Sequence, residues 1–267
     1  MKKIFSTILA GITVFFFCFM TASCSNSNEK CLVMATDADF PPFEYLDENR
    51  NIVGFDVEVA EAVSEKLGMT LKIESIAFDD IIDEIENGKY DFGMAGLTVN
   101  EERKAQVMFS DTYATGIQSI VVKDGSEYTE LDDFFDGFDE SGNPIAAKTN
   151  ITIGVQKGTT GDTYASAEPV DWGFGEENVN KYDTGEKAIQ SLEEGKVTAV
   201  IIDREPAKSF VDKYAGLKIL ETPYANESYA ICVNKKNTEL LGKINNALDE
   251  LKTDGKLEEI YNKYIAK

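Results

Sequence analysis

Histidine is absent from this 267-residue sequence, and with it go imidazole general bases, Ser-His and Cys-His nucleophile pairs and His-ligated zinc. Basic residues are scarce. Lys and Arg total 26 against 48 Asp and Glu, a formal charge of −22, and a field of that sign repels phosphate backbones and argues against nucleic acid as a partner. With 6 Pro, 4 Cys and one Trp, the chain is neither Pro-rich and disordered nor a disulfide-dense scaffold. It carries no zinc-ligand spacing, heptad repeat or low-complexity tract, so no metal or cofactor is expected. What it does have is 43% hydrophobic and 28% charged residues, the balance of a folding globular protein. Its length exceeds the usual domain of about 100–200 residues, which predicts two lobes or one large α/β unit.

Residues 1–23 have the layout of a secretory signal peptide: Lys2 and Lys3, the apolar run Ile4–Met20, then small residues Thr21-Ala22-Ser23. The run is short for a membrane span of about 20 residues. It therefore reads as a removed signal, and its loss takes the formal charge from −22 to −24. The segment Thr21–Cys24 resembles the lipobox of bacterial lipoproteins, which implies a lipid on Cys24 and a solvated tether over 24–29. The chain is thus expected to be exported and anchored at the cell membrane, on its extracytoplasmic face or in the periplasm. Cys18 leaves with the signal. Cys31 and Cys232 each sit in an apolar run that reads as a buried strand, as core thiols or, outside the cytosol, as a permitted disulfide.

Downstream, strands alternate with helices. Leu32–Thr36 is a strand; Phe55–Leu67 is an amphipathic helix with Asp56 able to cap it and Gly68 at its end. Leu71–Ile76, helical Asp79–Glu86 and the strand Phe92–Leu97 follow, leading into a helix at Asn100. The second half repeats the order: strand Ile151–Val155, helices Gly161–Ala167 and Gly185–Glu194, strand Val197–Ile202, helix Glu205–Tyr214, strand Leu217–Leu220. Such alternation implies parallel pairing with right-handed crossovers. Glu84–Asp91 and Ser191–Thr198 share a helix end, a Gly-Lys turn and a strand start, so the lobes read as repeated. Asp124–Glu140, with eight acidic residues, reads as a solvated insertion. Asn237–Leu251 is an amphipathic helix that must pack on something.

In open parallel sheets, ligands bind beyond the carboxyl ends of strands. Polar clusters stand there: Asp37 and Phe40 after the first strand, Gly96, Thr98 and Arg103 after the third, Gln156 and Thr160 in QKGTTG, and Asp203. The Gly-Thr-Thr-Gly turn offers free N–H groups, Arg103 offers a bidentate fork for a carboxylate, and Asp203 supplies the opposite sign. A carboxylate clamp plus an ammonium acceptor, from different lobes, describes a site for a zwitterion.

The segments ATDADFPPFEY (35–45), GFDVEVAEAV (54–63), AGLTVNEERKAQVMFSDTY (95–113), GVQKGTTGD (154–162), AVIIDREPA (199–207) and YAICVNKKNTELLGKIN (229–245) resemble the polar amino-acid-binding proteins of ABC importers, solute-binding protein family 3. The resemblance implies a periplasmic binding protein-like type II fold: two similar α/β lobes with mainly parallel sheets joined by two crossover hinge segments. Lobe one would be 30–112 plus 230–267, lobe two 118–224, and the hinges 113–117 and 225–229. It implies that Arg103 grips the ligand α-carboxylate with Thr98 and the Thr160 N–H, that the Gly96 carbonyl and Asp203 receive the α-ammonium, that Phe40 and Phe78 form aromatic walls, and that Asp37 meets the far end of the side chain. Gln156 stands where some relatives carry another polar residue and is counted with the ligand-binding set. The expected function is capture of a polar amino acid by a monomer that delivers it to the permease and ATPase subunits of an ABC importer. Asp37 between two aromatics favours arginine, then lysine, with glutamine next. A ligand-sensing protein and a prephenate-type dehydratase on the same fold are the alternatives.

Overall fold

A computed structural model describes residues 30–266; the signal segment and the whole of the 24–29 tether, Cys24 included, lie outside that range. Two sheets, each with its own buried core, make up the two lobes. The first opens with β1 (Cys31–Thr36), α1 (Phe55–Lys66), β2 (Thr70–Ser75), α2 (Ile81–Glu86), β3 (Phe92–Gly93), α3 (Glu101–Gln106) and β4 (Val107–Phe109). The chain then crosses on the long strand β5 (Ala114–Lys123). The second lobe follows with β6 (Ile153–Gln156), α4 (Thr160–Ser166), β7 (Val179–Tyr182), α5 (Gly185–Glu193), β8 (Ala199–Asp203), α6 (Arg204–Lys213) and β9 (Leu217–Ile219). It returns on β10 (Ala225–Tyr229) and ends in the first lobe with β11 (Cys232–Asn234), α7 (Thr238–Thr253) and α8 (Lys256–Tyr264).

The sheet orders are β2-β1-β3-β11-β4 and β7-β6-β8-β5-β9. In each, the strands joined by crossover helices pair in parallel, β1 with β2 and β3, β6 with β7 and β8. The strands adjoining the crossings, β5 and β11, pair antiparallel with their neighbours. Chain entering a lobe from the hinge runs against the strands it meets. Between the lobes β5 and β10 form an antiparallel ribbon, in register from Ala114 opposite Tyr229 to Gln118 opposite Ala225.

The Gly-Lys repeat is a repeat of backbone as well as letters. Gly88 and Gly195 both have φ +76°, a left-handed geometry that glycine adopts without steric cost. Each donates its N–H three residues back, to Ile85 and Leu192, while Lys89 and Lys196 reach back to Glu84 and Ser191. These are matching Schellman ends, and each aims the next segment at the central strand of its sheet.

Several expectations need correction. Asp56 does not cap α1: Gly54 is the N-cap, and the Asp56 side chain is buried, accepting from Gly96 N (2.8 Å) and Tyr113 Oη (2.8 Å). Phe92–Leu97 is a strand only to Gly93, because the chain turns through Gly96 (φ +52°) to present the following loop to the cleft. Cys31 is exposed at the edge of its strand while Cys232 is buried, and both thiols are free. The acidic stretch 124–140 is not wholly solvated: Phe134 and Phe135 are buried in the second lobe, stacking on Tyr128 and Phe174. The helix α8 beyond Gly255 was not anticipated, although Leu257 and Ile260 are one turn apart and buried. The face of α7 made by Leu240, Ile244, Leu248 and Leu251 packs in the first-lobe core beside Val59 and Val63 of α1.

Candidate functional site

Side chains from the strand ends and loops of both lobes converge on one enclosed pocket. It is lined by Asp37, Phe40, Phe78, Ala95, Gly96, Thr98, Arg103, Gln156, Thr159, Thr160 and Asp203, so all nine of the residues singled out in the sequence meet there. Asp37 follows β1, and Gln156, the last residue of β6, donates Nε2 to its Oδ2 at 2.8 Å across the cleft. Phe40 lies over Gly96, where an added Cβ would stand 2.9 Å from the ring. Phe78, in the turn preceding α2, faces the Arg103 guanidinium at 5.4 Å.

Arg103 is placed by the start of its helix. Asn100 caps α3 by accepting from the Arg103 N–H at 2.8 Å, which fixes the backbone from which the side chain leaves. Arg103 is 7% exposed, and its guanidinium donates to Thr98 O (2.8 Å) and, across the cleft, to Gly158 O (3.1 Å). Burial lowers its pKa from the usual range, yet so basic a group stays charged. A third bridge, Lys157 to Asp79 at 2.6 Å, joins the lobes at the rim. The lobes meet so tightly that a Cβ on Gly158 would lie 2.8 Å from that of Asp79.

Asp203 ends β8 and begins α6, but its side chain makes no capping bond. It accepts from Gln118 Nε2 (2.7 Å) and from the Tyr229 hydroxyl, both on the hinge ribbon. Burial first, then the nearby Glu227 charge, raises its pKa to about 7; Asp37 is raised to about 7 as well, again chiefly by burial. Beneath Gly96 lie two more buried acids, Glu44 and Asp56, with pKa values well above normal and about 6 respectively, both driven by burial. Two buried carboxyl groups, Asp37 and Asp203, therefore line the pocket, with Glu44, Asp56 and Glu227 buried behind them, and the lining contains a single cationic side chain, Arg103. Burial favours the neutral form of Asp37 and Asp203, and a cation placed beside them would favour the charged form.

Two polar residues of this centre escaped sequence reading. Gln118 and Glu227 sit on the hinge strands; Glu227 Oε2 accepts from Thr98 Oγ1 (3.0 Å) and Gln118 Nε2 (3.1 Å). Isolated polar letters in a half-apolar strand, ATGIQSIVVK, gave no signal beyond alternation, and only the pairing of β5 with β10 brings them together. Among the described residues no group of His, Cys, Asp and Glu has the arrangement of a metal site, and no helix is long and apolar enough to cross a membrane.

Two α/β lobes on a two-stranded hinge, closing on a polar pocket, define a protein of the type II periplasmic-binding class. Within that class the chain belongs to the bacterial extracellular solute-binding proteins, family 3, whose profile matches residues 32–267. It is 31% identical to the arginine-binding extracellular protein ArtP of Bacillus subtilis (strain 168), over 99% of this chain and 98% of that protein. Among solved structures it resembles an ancestral arginine-binding protein bound to arginine, with TM-score 0.78 and 38% identity over 89% of this chain and 99% of the other. An ancestral arginine-binding protein bound to glutamine gives 0.77 and 38% over 90% and 99%.

Proposed function

We propose that the protein captures a free cationic amino acid, arginine before lysine and with glutamine as competitor, between its lobes and hands it to the membrane permease and ATPase of an ABC importer. The two buried carboxyl groups that line the pocket, Asp37 and Asp203, against the one cationic side chain Arg103, carry this reading. A zwitterion adds no net charge to the pocket, whereas a guanidinium side chain adds one positive charge beside Asp37. In the proposed pose Arg103 takes the α-carboxylate with the N-terminal turn of α4 at Thr160, and Asp203 with the Gly96 carbonyl takes the α-ammonium. Phe40 and Phe78 flank the side chain, and Asp37 with Gln156 meets its end. The Thr98 hydroxyl gives its proton to Glu227, so toward the ligand its oxygen serves as an acceptor rather than a second carboxylate donor. Asp37 and Asp203 are each held by an amide donor, an arrangement suited to receiving a cation and supporting a binder over a prephenate-type dehydratase. Relatives named for arginine support the ligand class.

A thermal-shift screen of the mature chain against the twenty amino acids tests it, since a ligand at 100 times its Kd adds about 2.7 kcal/mol to the folded state. The largest shift is expected with arginine; a largest shift with glutamate or a branched aliphatic amino acid overturns the pocket assignment. The lobes are taken to divide at 113–117 and 225–229, the monomer to act alone, and Cys24 to hold it to the membrane after export. The anchor is supported by the lipobox-like Thr21–Cys24, and Cys24→Ser should move the protein from the membrane fraction to the soluble one.

A further inference from the structure

The hinge carboxylate Glu227 is 6% exposed, does not line the pocket, and lies outside the three sequence segments that supply the clamp. Its position is fixed on two sides. On the first lobe, the flanking residues are tied to the clamp loop by Val99 N to Ser228 O (3.0 Å) and Ala230 N to Leu97 O (3.1 Å). On the other side, Glu227 pairs in register with Gly116 of β5, two residues before Gln118. One oxygen, Oε2, accepts from Thr98 Oγ1 and Gln118 Nε2, and the same Gln118 amide reaches Asp203 Oδ2 (2.7 Å) and Thr160 Oγ1 (3.5 Å). A single oxygen thus fixes the rotamer of a first-lobe clamp residue directly and, through the two N–H groups of one amide, orients the second-lobe clamp residue Asp203, with Thr160 Oγ1 at the edge of the same network.

We infer that Glu227 is a positioning residue for ligand binding, which aligns Thr98 of one lobe with Asp203 of the other in the closed form. The inference rests on the amino-acid pocket proposed above. Its mechanism is geometric. With the Thr98 proton committed to Glu227, the Thr98 oxygen turns a lone pair to the cleft; with Gln118 committed to Glu227 and Asp203 together, the Asp203 carboxylate is held in one rotamer. Both constraints run through the hinge ribbon, so Glu227 links clamp residues of the two lobes.

The test is calorimetric titration of the mature chain with L-arginine, with melting temperature followed in parallel. Glu227→Ala is expected to weaken binding at least about tenfold, and Glu227→Gln, which keeps an acceptor oxygen of the same reach, to stay within about threefold of wild type. In a Thr98→Val background, where the partner hydroxyl is gone, Glu227→Ala should add less than about threefold. A merely structural role would lower the melting temperature alike in both backgrounds and leave the two substitutions multiplicative. Equal binding by wild type and Glu227→Ala, a Gln variant as weak as the Ala variant, or full multiplicativity overturns the inference. A wild type that binds none of the twenty amino acids overturns the pocket reading itself, and Glu227's role with it.

Discussion

The two lobes share a plan but divide the pocket unequally. The first contributes Asp37, Phe40, Phe78, Gly96, Thr98 and Arg103 to its lining, the second Gln156, Thr159, Thr160 and Asp203. Both aromatic walls and the only cation of the lining belong to the first, which also holds the buried pair Glu44 and Asp56 beneath Gly96. The second supplies short polar groups at strand ends. Identical topology has therefore been used for two jobs: one lobe is a shaped cradle with a fixed guanidinium, the other a cover that completes hydrogen bonds. Closure is marked by the bridges Gln156 to Asp37, Arg103 to Gly158 and Lys157 to Asp79.

This division of labour is broken most sharply by removing the cradle's cation. Arg103→Ala should cost about 3–5 kcal/mol in ligand binding, the penalty for leaving a buried carboxylate without its partner, with Arg103→Lys losing less. Asp203→Asn, on the cover, should cost about 2 kcal/mol, because Asn still offers one acceptor oxygen but no charge. Calorimetric titration of the three variants with the same amino acid checks both; an Asp203→Asn loss larger than that of Arg103→Ala would reverse the roles assigned to the lobes.

The smallest effect is on pH. Asp37 and Asp203 have folded-state pKa values of about 7, above the roughly 3.9 of a free Asp. Between those values the folded state binds more protons than the unfolded one, so stability falls as pH rises through the window from about 4 to 7. The ligand-free protein should accordingly melt higher at pH 5 than at pH 7.5. Arginine affinity should change in the opposite direction, weakening as acid protonates the two carboxylates that receive its cationic groups. Asp37→Asn should flatten both profiles and shift preference from arginine toward glutamine; unchanged profiles in that variant would remove Asp37 from the proton-linked set.

The order of elements was legible because each switch from strand to helix carries its own punctuation. Gly68, Gly88 and Gly195 all take the left-handed geometry at or just past helix ends, and Asn100 and Asn237 cap the helices expected after them. The pocket residues were legible because strand ends in such sheets face the cleft. What stayed hidden depends on pairing between distant segments. Asp56 sits at a helix start and reads as a cap, yet the approach of Gly96 and Tyr113 from 40 and 57 residues away makes it a buried acceptor. Phe134 and Phe135 lie among so many acids that local composition masks their burial against Phe174. Gln118 and Glu227 gain meaning only from the register between β5 and β10.

That register also limits how the molecule can move. The lobes are joined by adjacent strands whose backbones are laced from Ala114 opposite Tyr229 to Gln118 opposite Ala225. Sliding one strand along the other would break several ladder bonds together, and a slip of one residue would turn every side chain to the wrong face. Flexing the ribbon out of its plane asks only for small dihedral changes along both strands. Of the six rigid-body freedoms two separate lobes would have, the ribbon stiffens those that slide or separate its strands and leaves bending and twisting soft, so the distance between lobe tips follows chiefly from the bend of the ribbon.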